Sequence, residues 1–138
     1  MPRLKDMRIG DSAEKEVLVS DELVSAFAEL TDDTNPIHTD EGYAAKSFFG
    51  RRVAHGMLPA AFFGTLLGTM LPGPGTIYLY QGLEFKAPVF IGDSITVKVE
   101  ITEIVERLGK ITLRTTAKKN GEILIDGKAA ILFRPIEN

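Results

Sequence analysis

The sequence predicts one α+β domain over residues 1–138, in which a curved antiparallel sheet wraps around a long central apolar helix. One observation is the run Met57–Leu71, which carries no charged residue on any face of a helix. The other is a change of period after Thr76, where apolar and polar residues alternate as in strands with one solvated face. A length of 138 residues suits a single hydrophobic core.

The segments before the central helix are predicted to be one short strand and several short helical pieces. Lys15–Ser20 is the strand candidate, and its last residue or the following aspartate can cap a helix by accepting from the first free N–H groups. Thr31–His38 is dense in turn-forming residues, and Pro36 rules out a continuous helix there. Asp40–Ser47 is a short helix or a turn.

The central helix is predicted over Met57–Leu71. Pro59 fits only in the first turn of a helix, so the helix should begin close to His55–Gly56, and Pro72–Gly75 should end it. A helix that is apolar all round is expected to be buried on all sides. It is also shorter than the roughly 20 residues that cross a bilayer, so we expect no membrane span.

The second half of the chain is predicted to supply most of the sheet. Alternation runs through Ile77–Phe85, Ile95–Ile101 and Ile111–Ala117. Asn120–Gly121 is a hairpin signal, because both turn positions need positive φ, and Glu122–Arg134 is then the return strand. A sheet curved around one apolar helix is the hot-dog arrangement. It leaves open edges and a partly bare helix, so we expect a homodimer or a higher homo-oligomer.

Composition excludes several classes of function. The net charge of −3 and the lack of a basic stripe argue against a nucleic-acid partner. The chain has no cysteine, hence no disulfide, thiolate nucleophile or Cys-based zinc site. Met1–Gly10 has no apolar signal core, so the default expectation is a cytoplasmic protein. Dinucleotide, Walker A and serine-hydrolase motifs are missing from the sequence.

Both histidines of the chain lie in loops beside other reactive groups. Asp33 and His38 are five residues apart in a turn and can converge on one small ligand such as water. The alternative is a capped turn, because Asp, Thr and Asn side chains bond their own backbone and Asn35–Pro36 is a common turn. Residue types alone favour that structural interpretation. No other His, Asp or Glu has metal-ligand spacing to this pair, so we predict no metal.

The second histidine precedes Gly56 at the predicted start of the central helix. A helix N-terminus has free N–H groups and a partial positive charge, and a glycine lets a carbonyl approach the backbone. These are the requirements of an oxyanion hole. The alternative is that Gly56 is only an N-cap and His55 a polar cap residue, and residue types do not separate the two.

Three segments together resemble the R-specific enoyl-CoA hydratases of the MaoC-like family. They are Thr31–His38 (TDDTNPIH), Val53–Leu58 (VAHGML) and Phe85–Asp93 (FKAPVFIGD), in the order in which the family has them. The resemblance covers nearly the whole chain, and the D-x-N-P-x-H run is a specific signature. It implies the hot-dog fold and the addition of water to trans-2-enoyl-CoA, giving (R)-3-hydroxyacyl-CoA.

The resemblance also implies roles for single residues. Asp33 and His38 would be the catalytic pair, the backbone N–H of Gly56 would donate to the thioester oxygen, and Asn35 would brace the loop. The chain departs from the common pattern at Asp32, where many members have glycine, and this places a second carboxylate beside the first.

The substrate implied by the resemblance is an acyl-CoA, and no cofactor is needed because water and substrate supply every atom. Arg51, Arg52 and Lys86 are candidates for meeting its phosphates near the tunnel mouth. Three other functions stay open on the same fold: an acyl-CoA thioesterase, a 3-hydroxyacyl-carrier-protein dehydratase and a non-catalytic acyl-CoA-binding module. The sequence does not say which of Asp33 and His38 is the base.

Overall fold

The structure, a computed structural model, describes residues 2–136 and confirms the α+β hot-dog architecture. Five strands form one antiparallel sheet, and one apolar helix packs against it. In chain order the elements are β1 (Ser12–Leu18), α1 (Asp21–Thr31), α2 (Pro36–Thr39), α3 (Glu41–Ala45), α4 (Met57–Thr69), β2 (Thr76–Phe85), β3 (Ser94–Val105), β4 (Lys110–Lys119) and β5 (Glu122–Phe133).

The strands follow the order β1-β3-β4-β5-β2, and every neighbouring pair is antiparallel. The β4–β5 hairpin turns at Asn120 and Gly121, whose φ angles are 50° and 82°. Both positions therefore adopt positive φ, as the Asn-Gly signal predicts. The order leaves β1 at one edge of the sheet and β2 at the other.

Helix α4 provides the centre of the core. Phe63, Leu66 and Leu67 are fully buried between the helix and the sheet. The expectation that α4 is buried on all sides is wrong for the single chain, because the sheet covers only part of its circumference. Met57, Ala61, Thr65 and Gly68, spaced three or four residues apart, form an exposed stripe along its other face. Within residues 2–136, no helix is long and apolar enough to cross a membrane.

Strand β2 also departs from its expected pattern. Ile77 and Leu79 were expected on a buried face, but they are 48% and 51% exposed, and Tyr78 and Tyr80 beside them are about half exposed as well. The physical reason is position: β2 pairs only with β5, and the register shifts between Tyr78 and Tyr80. Both faces of this edge strand, which is uncharged from Thr76 to Leu83, therefore stay partly open.

Three side-chain caps divide the segment that carries the D-x-N-P-x-H run into short, fixed helices. The Ser20 hydroxyl accepts from the N–H of the third residue of α1 at 3.1 Å, as predicted. The Asn35 side chain accepts from Ile37 N at 3.1 Å, and Pro36 stands in the first turn of α2. The Asp40 carboxylate caps α3 in the same way. No long helix runs through this segment, as Pro36 predicts.

Candidate active site

The loop that follows α1 turns at Asp32, which adopts a left-handed conformation with φ 59° and ψ 18°. Glycine reaches this region at the lowest cost, and aspartate is among the few other residues that visit it regularly. Asp32 therefore makes a turn that a glycine at this position would also make. The turn sends the chain directly into Asp33.

Asp33 is exposed and is held by its backbone and its carboxylate. Its N–H donates to the Thr31 hydroxyl at 3.3 Å, and its Oδ1 accepts from the N–H of Asn35 at 3.4 Å. Its carbonyl oxygen lies 2.9 Å from Nε2 of His55. Asn35 therefore contacts Asp33 through its backbone while its side chain caps α2.

The tautomer of His38 is set by one short hydrogen bond. Its Nδ1 lies 2.7 Å from the carbonyl oxygen of Val53. A carbonyl oxygen only accepts, so Nδ1 carries the proton, and in the neutral ring Nε2 has a free lone pair. This leaves Nε2 as the nitrogen that can take or return a proton.

The two histidines and Asp33 form one cluster. The imidazole rings of His38 and His55 stack with centroids 3.8 Å apart and an interplanar angle of 28°, and Phe27 contacts the His55 ring at 5.0 Å. One carboxylate oxygen of Asp33 and one ring nitrogen of each histidine lie within 4.8 Å of one another. A water that donates hydrogen bonds to two acceptors holds them about 4.5 Å apart, so this spacing suits a bridging water.

The same cluster is the group in residues 2–136 whose spacing would suit a metal ion. The expectation that no other residue has such spacing to Asp33 and His38 is wrong, because the fold brings His55 beside them. The donor set fits an ion poorly. A nitrogen of each ring is already bonded to a backbone carbonyl. Stacked imidazoles also direct their in-plane lone pairs side by side, whereas a metal ion needs them to converge at about 2.1 Å.

Gly56 is the N-cap of α4, with φ −57°, so the helix begins where the sequence predicts. It is exposed, and its N–H makes no hydrogen bond to another residue of the described range 2–136. A Cβ at this position would lie 2.9 Å from Cε1 of Phe85, so the Phe85 ring packs directly on the Gly56 backbone. The structure therefore presents a free N–H at a helix N-terminus beside an aromatic wall.

Two hollows flank the start of α4. The first, about 290 Å³, is lined by Phe49, Val53, Ala54, Gly56, Phe85, Lys86, Ala87, Pro88, Val89 and Ile125. The second, about 500 Å³, is an apolar groove between α4 and β2, lined by Phe27, Met57, Ala60, Ala61, Gly64, Tyr78, Leu79, Tyr80, Gln81 and Leu83. The acyl groove, as we call the second one below, reaches the cluster through Phe27, which contacts His55.

The three basic residues proposed for phosphate contact occupy different environments. Lys86 lines the hollow at Gly56 and pairs with Glu84 at 3.4 Å. The Arg51 guanidinium stacks over the ring of Phe90 at 3.8 Å. Arg52 points inward and is only 11% exposed.

Arg52 is occupied by bonds inside the chain. Its Nε donates to the carbonyl oxygen of His38 at 2.8 Å, and its guanidinium pairs with Asp21 at 2.8 Å. This hydrogen bond and the positive charge hold the pKa of the Asp21 carboxyl below its usual value. Arg52 thus links the start of α1 to α2, which carries His38. These residues are far apart in the sequence, so no local pattern predicts the contact.

Comparison with known proteins agrees with this architecture. The chain is 44% identical over 128 residues to an (R)-specific enoyl-CoA hydratase of Rhodospirillum rubrum, an alignment that covers 93% of this chain and 89% of the relative. It is 43% identical over 129 residues to a 3-hydroxybutyryl-CoA dehydratase of Methylorubrum extorquens, covering 92% and 81% of the two chains.

A solved structure gives the same picture. The (R)-hydratase from A. caviae involved in PHA biosynthesis superposes with a TM-score of 0.90 at 40% identity, covering 94% of this chain and 98% of that one. Residues 8–123 match the MaoC like domain, which is well over half of the chain. The chain is therefore a member of the MaoC-like family of hot-dog proteins.

Proposed function

We propose that the protein is an (R)-specific enoyl-CoA hydratase, which adds water to trans-2-enoyl-CoA and forms (R)-3-hydroxyacyl-CoA. The observation that carries the proposal is that the Asp33 carboxylate and the His38 ring meet in one cluster beside a free helix N-terminus. We take as proton acceptors the Asp33 carboxylate and Nε2 of His38, which the Val53 bond leaves free, and as donor the N–H of Gly56.

The acceptors suggest how the water is prepared for attack. Neutral His38 and ionised Asp33 both accept hydrogen bonds, so a water between them donates both of its hydrogens and directs a lone pair away from them. That lone pair attacks Cβ of the enoyl group. One acceptor takes the proton that the water loses, and the pair returns one proton to Cα, so atoms and charge balance over the cycle.

The Gly56 N–H supplies the third element of the mechanism. As oxygen adds to Cβ, negative charge moves through Cα to the thioester oxygen, which becomes enolate-like. A fixed N–H at a helix N-terminus stabilises this charge more than it stabilises the neutral ground state, and this difference lowers the barrier. The Phe85 ring lies against the Gly56 backbone and forms one side of this position.

The two hollows at the start of α4 suggest where the two ends of the substrate lie. The acyl groove is apolar and suits the acyl chain. The hollow that joins Gly56 to Lys86 suits the pantetheine arm, with the Lys86 ammonium available to a phosphate. Arg51 is the second cation that we place near the phosphates, whereas Arg52 serves the protein interior.

The direct test is loss of the conjugated-enoyl absorbance of crotonyl-CoA, with chiral analysis of the 3-hydroxybutyryl product. The R enantiomer is expected, and the S enantiomer or no reaction contradicts the proposal. Release of free CoA thiol from a saturated acyl-CoA would instead indicate a thioesterase. Because the chain has no cysteine, a thiol reagent reports only on CoA in that assay. Tight acyl-CoA binding without turnover would indicate a binding module.

Chain-length preference should respond to the width of the acyl groove. Ala61 is exposed along this groove, so Ala61→Leu fills space that a longer chain would use. We expect kcat/KM for an eight-carbon enoyl-CoA to fall at least 10-fold, since pocket contacts worth 1–3 kcal/mol are lost, while crotonyl-CoA changes less than about threefold. Ala26→Leu on the exposed surface of α1 is the control and should alter neither. Equal losses for both chain lengths would contradict the assignment of the groove.

The exposed edge of β2 suggests that the chain binds a second copy of itself. The residues from Thr76 to Leu83 carry no charge, and several of their apolar side chains are about half exposed beside the stripe of α4. The other edge strand differs, because β1 carries Glu14, Lys15 and Glu16, and charged edges resist pairing. We propose a homodimer in which two β2 strands pair across a twofold axis.

Leu79→Lys should weaken this dimer, because it places a charge in the apolar edge of β2. Light scattering after gel filtration should show twice the chain mass for the unaltered protein and a shift toward the chain mass for the variant. Leu18→Lys is the matched control, since Leu18 is 60% exposed on the opposite edge strand. A monomeric parent protein, or the same shift in both variants, would contradict pairing through β2.

A further inference from the structure

The side chain of His55 is a buried ionisable group that the mechanism above leaves without a role. It is 4% exposed, stacks on the ring of His38 and is contacted by the ring of Phe27. A surface cap residue would be solvated, but this imidazole is buried. Its position against the two proposed catalytic residues calls for an explanation of its own.

The hydrogen bond of His55 fixes its tautomer. Nε2 lies 2.9 Å from the carbonyl oxygen of Asp33, and a carbonyl oxygen only accepts, so Nε2 carries the proton. Nδ1 is buried and has no hydrogen-bond partner within residues 2–136. A second proton on Nδ1 would therefore leave a buried charged donor without an acceptor, which is costly. The environment supports the neutral ring with hydrogen on Nε2.

The ring of His55 acts on both members of the pair at once. Through Nε2 it holds the peptide of Asp33, 22 residues away in the chain, and through its face it sets the plane of the His38 ring at 3.8 Å. His38 is fixed within that plane by the carbonyl oxygen of Val53. A neutral neighbour also adds no repulsive charge when His38 carries the proton taken from water.

We propose that His55 is a positioning residue for the hydration reaction, which sets the Asp33 backbone by its Nε2–H and the His38 ring by stacking. The proposal rests on the proposed function for its kinetic consequences, but the geometry itself has a readout that needs no substrate. The chain has only two histidines, so its imidazole nitrogen spectrum contains only these two rings.

The first experiment is a long-range ¹H–¹⁵N correlation spectrum of the whole protein at pH 7. We expect His55 as the neutral Nε2–H tautomer and His38 with hydrogen on Nδ1. A charged His55, or a His55 with hydrogen on Nδ1, overturns the proposal whether or not the protein has hydratase activity. The correct tautomers without enoyl-CoA turnover would contradict the proposed function alone.

Two variants separate the two contacts of His55. His55→Gln keeps an amide donor that reaches toward the Asp33 carbonyl but removes the ring. Without the stacked partner the His38 ring can turn away from the Val53 carbonyl, so His38 should become a mixture of tautomers. His55→Phe keeps the ring but removes the donor, so the His38 tautomer should persist. Each variant should lower kcat roughly 10- to 100-fold with KM changed less than about threefold, since the pair is misplaced while substrate binding remains.

An unchanged His38 spectrum in His55→Gln together with unchanged kcat in His55→Phe would overturn the positioning role. Thermal unfolding of both variants is recorded alongside. Partial unfolding would lower the apparent kcat and leave KM unchanged, which is the same kinetic pattern that mispositioning produces. If either variant does not fold, the tautomer spectrum of the unaltered protein still decides whether His55 has the proposed arrangement.

Discussion

Asp33→Asn and His38→Gln should each lower kcat for the hydration of crotonyl-CoA by about 10²–10⁴-fold, the usual contribution of one positioned proton-transfer group. Asparagine keeps the size of the Asp33 side chain but presents an amide that cannot take a proton. Glutamine removes the imidazole Nε2 that the Val53 bond leaves free. Because the two acceptors hold one water between them, the double variant should be little slower than the worse single variant.

The neighbouring carboxylate provides a matched control for this prediction. Asp32→Asn removes the same charge one residue earlier, and asparagine also tolerates the left-handed turn that Asp32 makes. We expect kcat within about threefold of the parent protein. Full activity in Asp33→Asn, or an equal loss in Asp32→Asn, would contradict the assignment of Asp33. Initial rates at saturating substrate, with circular dichroism to verify folding, are the measurements required.

Gly56→Pro should lower kcat by about 10²–10³-fold, the cost of losing one oxyanion donor. Proline removes the backbone N–H and fits the local backbone, because its ring fixes φ near −65° and Gly56 already has φ −57°. It also adds ring atoms on the side of Phe85, an effect that the alanine variant below measures separately. The loss should appear in kcat more than in KM, since the bond strengthens as charge develops on the thioester oxygen.

Gly56→Ala separates the loss of the N–H from the effect of added bulk. Alanine retains the N–H but introduces a Cβ that meets the Phe85 ring at 2.9 Å, a contact that proline makes as well. The kcat of Gly56→Pro should therefore lie below that of Gly56→Ala by most of the predicted factor of about 10²–10³. If both variants lose the same activity, the effect is steric and the N–H of Gly56 has no electrostatic role.

Much of the fold follows from local patterns in the sequence. The positive φ angles at Asn120 and Gly121, the cap at Ser20 and the start of α4 at Met57 agree with expectation, since each depends on a few neighbouring residues. The bounds of β1 were less accurate. It covers Ser12–Leu18 rather than Lys15–Ser20, because pairing with β3 extends it through charged residues that show no apolar alternation.

The features that local patterns did not predict depend on distant parts of the chain. Whether Ile77 and Leu79 are covered depends on the strand that lies beyond β2, not on their own alternation. The site shows the same limit. The sequence singled out the segments of His38 and His55 but did not separate a functional role for His55 from that of a cap residue. The two rings stack although they are 17 residues apart in the chain, and no local pattern predicts such a contact. The link from Arg52 to Asp21 spans 31 residues and is likewise invisible to local patterns.

Strand β2 has a consequence for how the enzyme can change. It supplies the apolar edge that we assign to the dimer and also, through Tyr78, Leu79, Tyr80, Gln81 and Leu83, one wall of the acyl groove. Substrate range and self-association therefore draw on the same ten residues. Specific activity should fall when the protein is diluted below the dissociation constant of its dimer, most steeply for long acyl chains. A substitution in β2 that adapts the enzyme to a new chain length should therefore also change how specific activity depends on protein concentration.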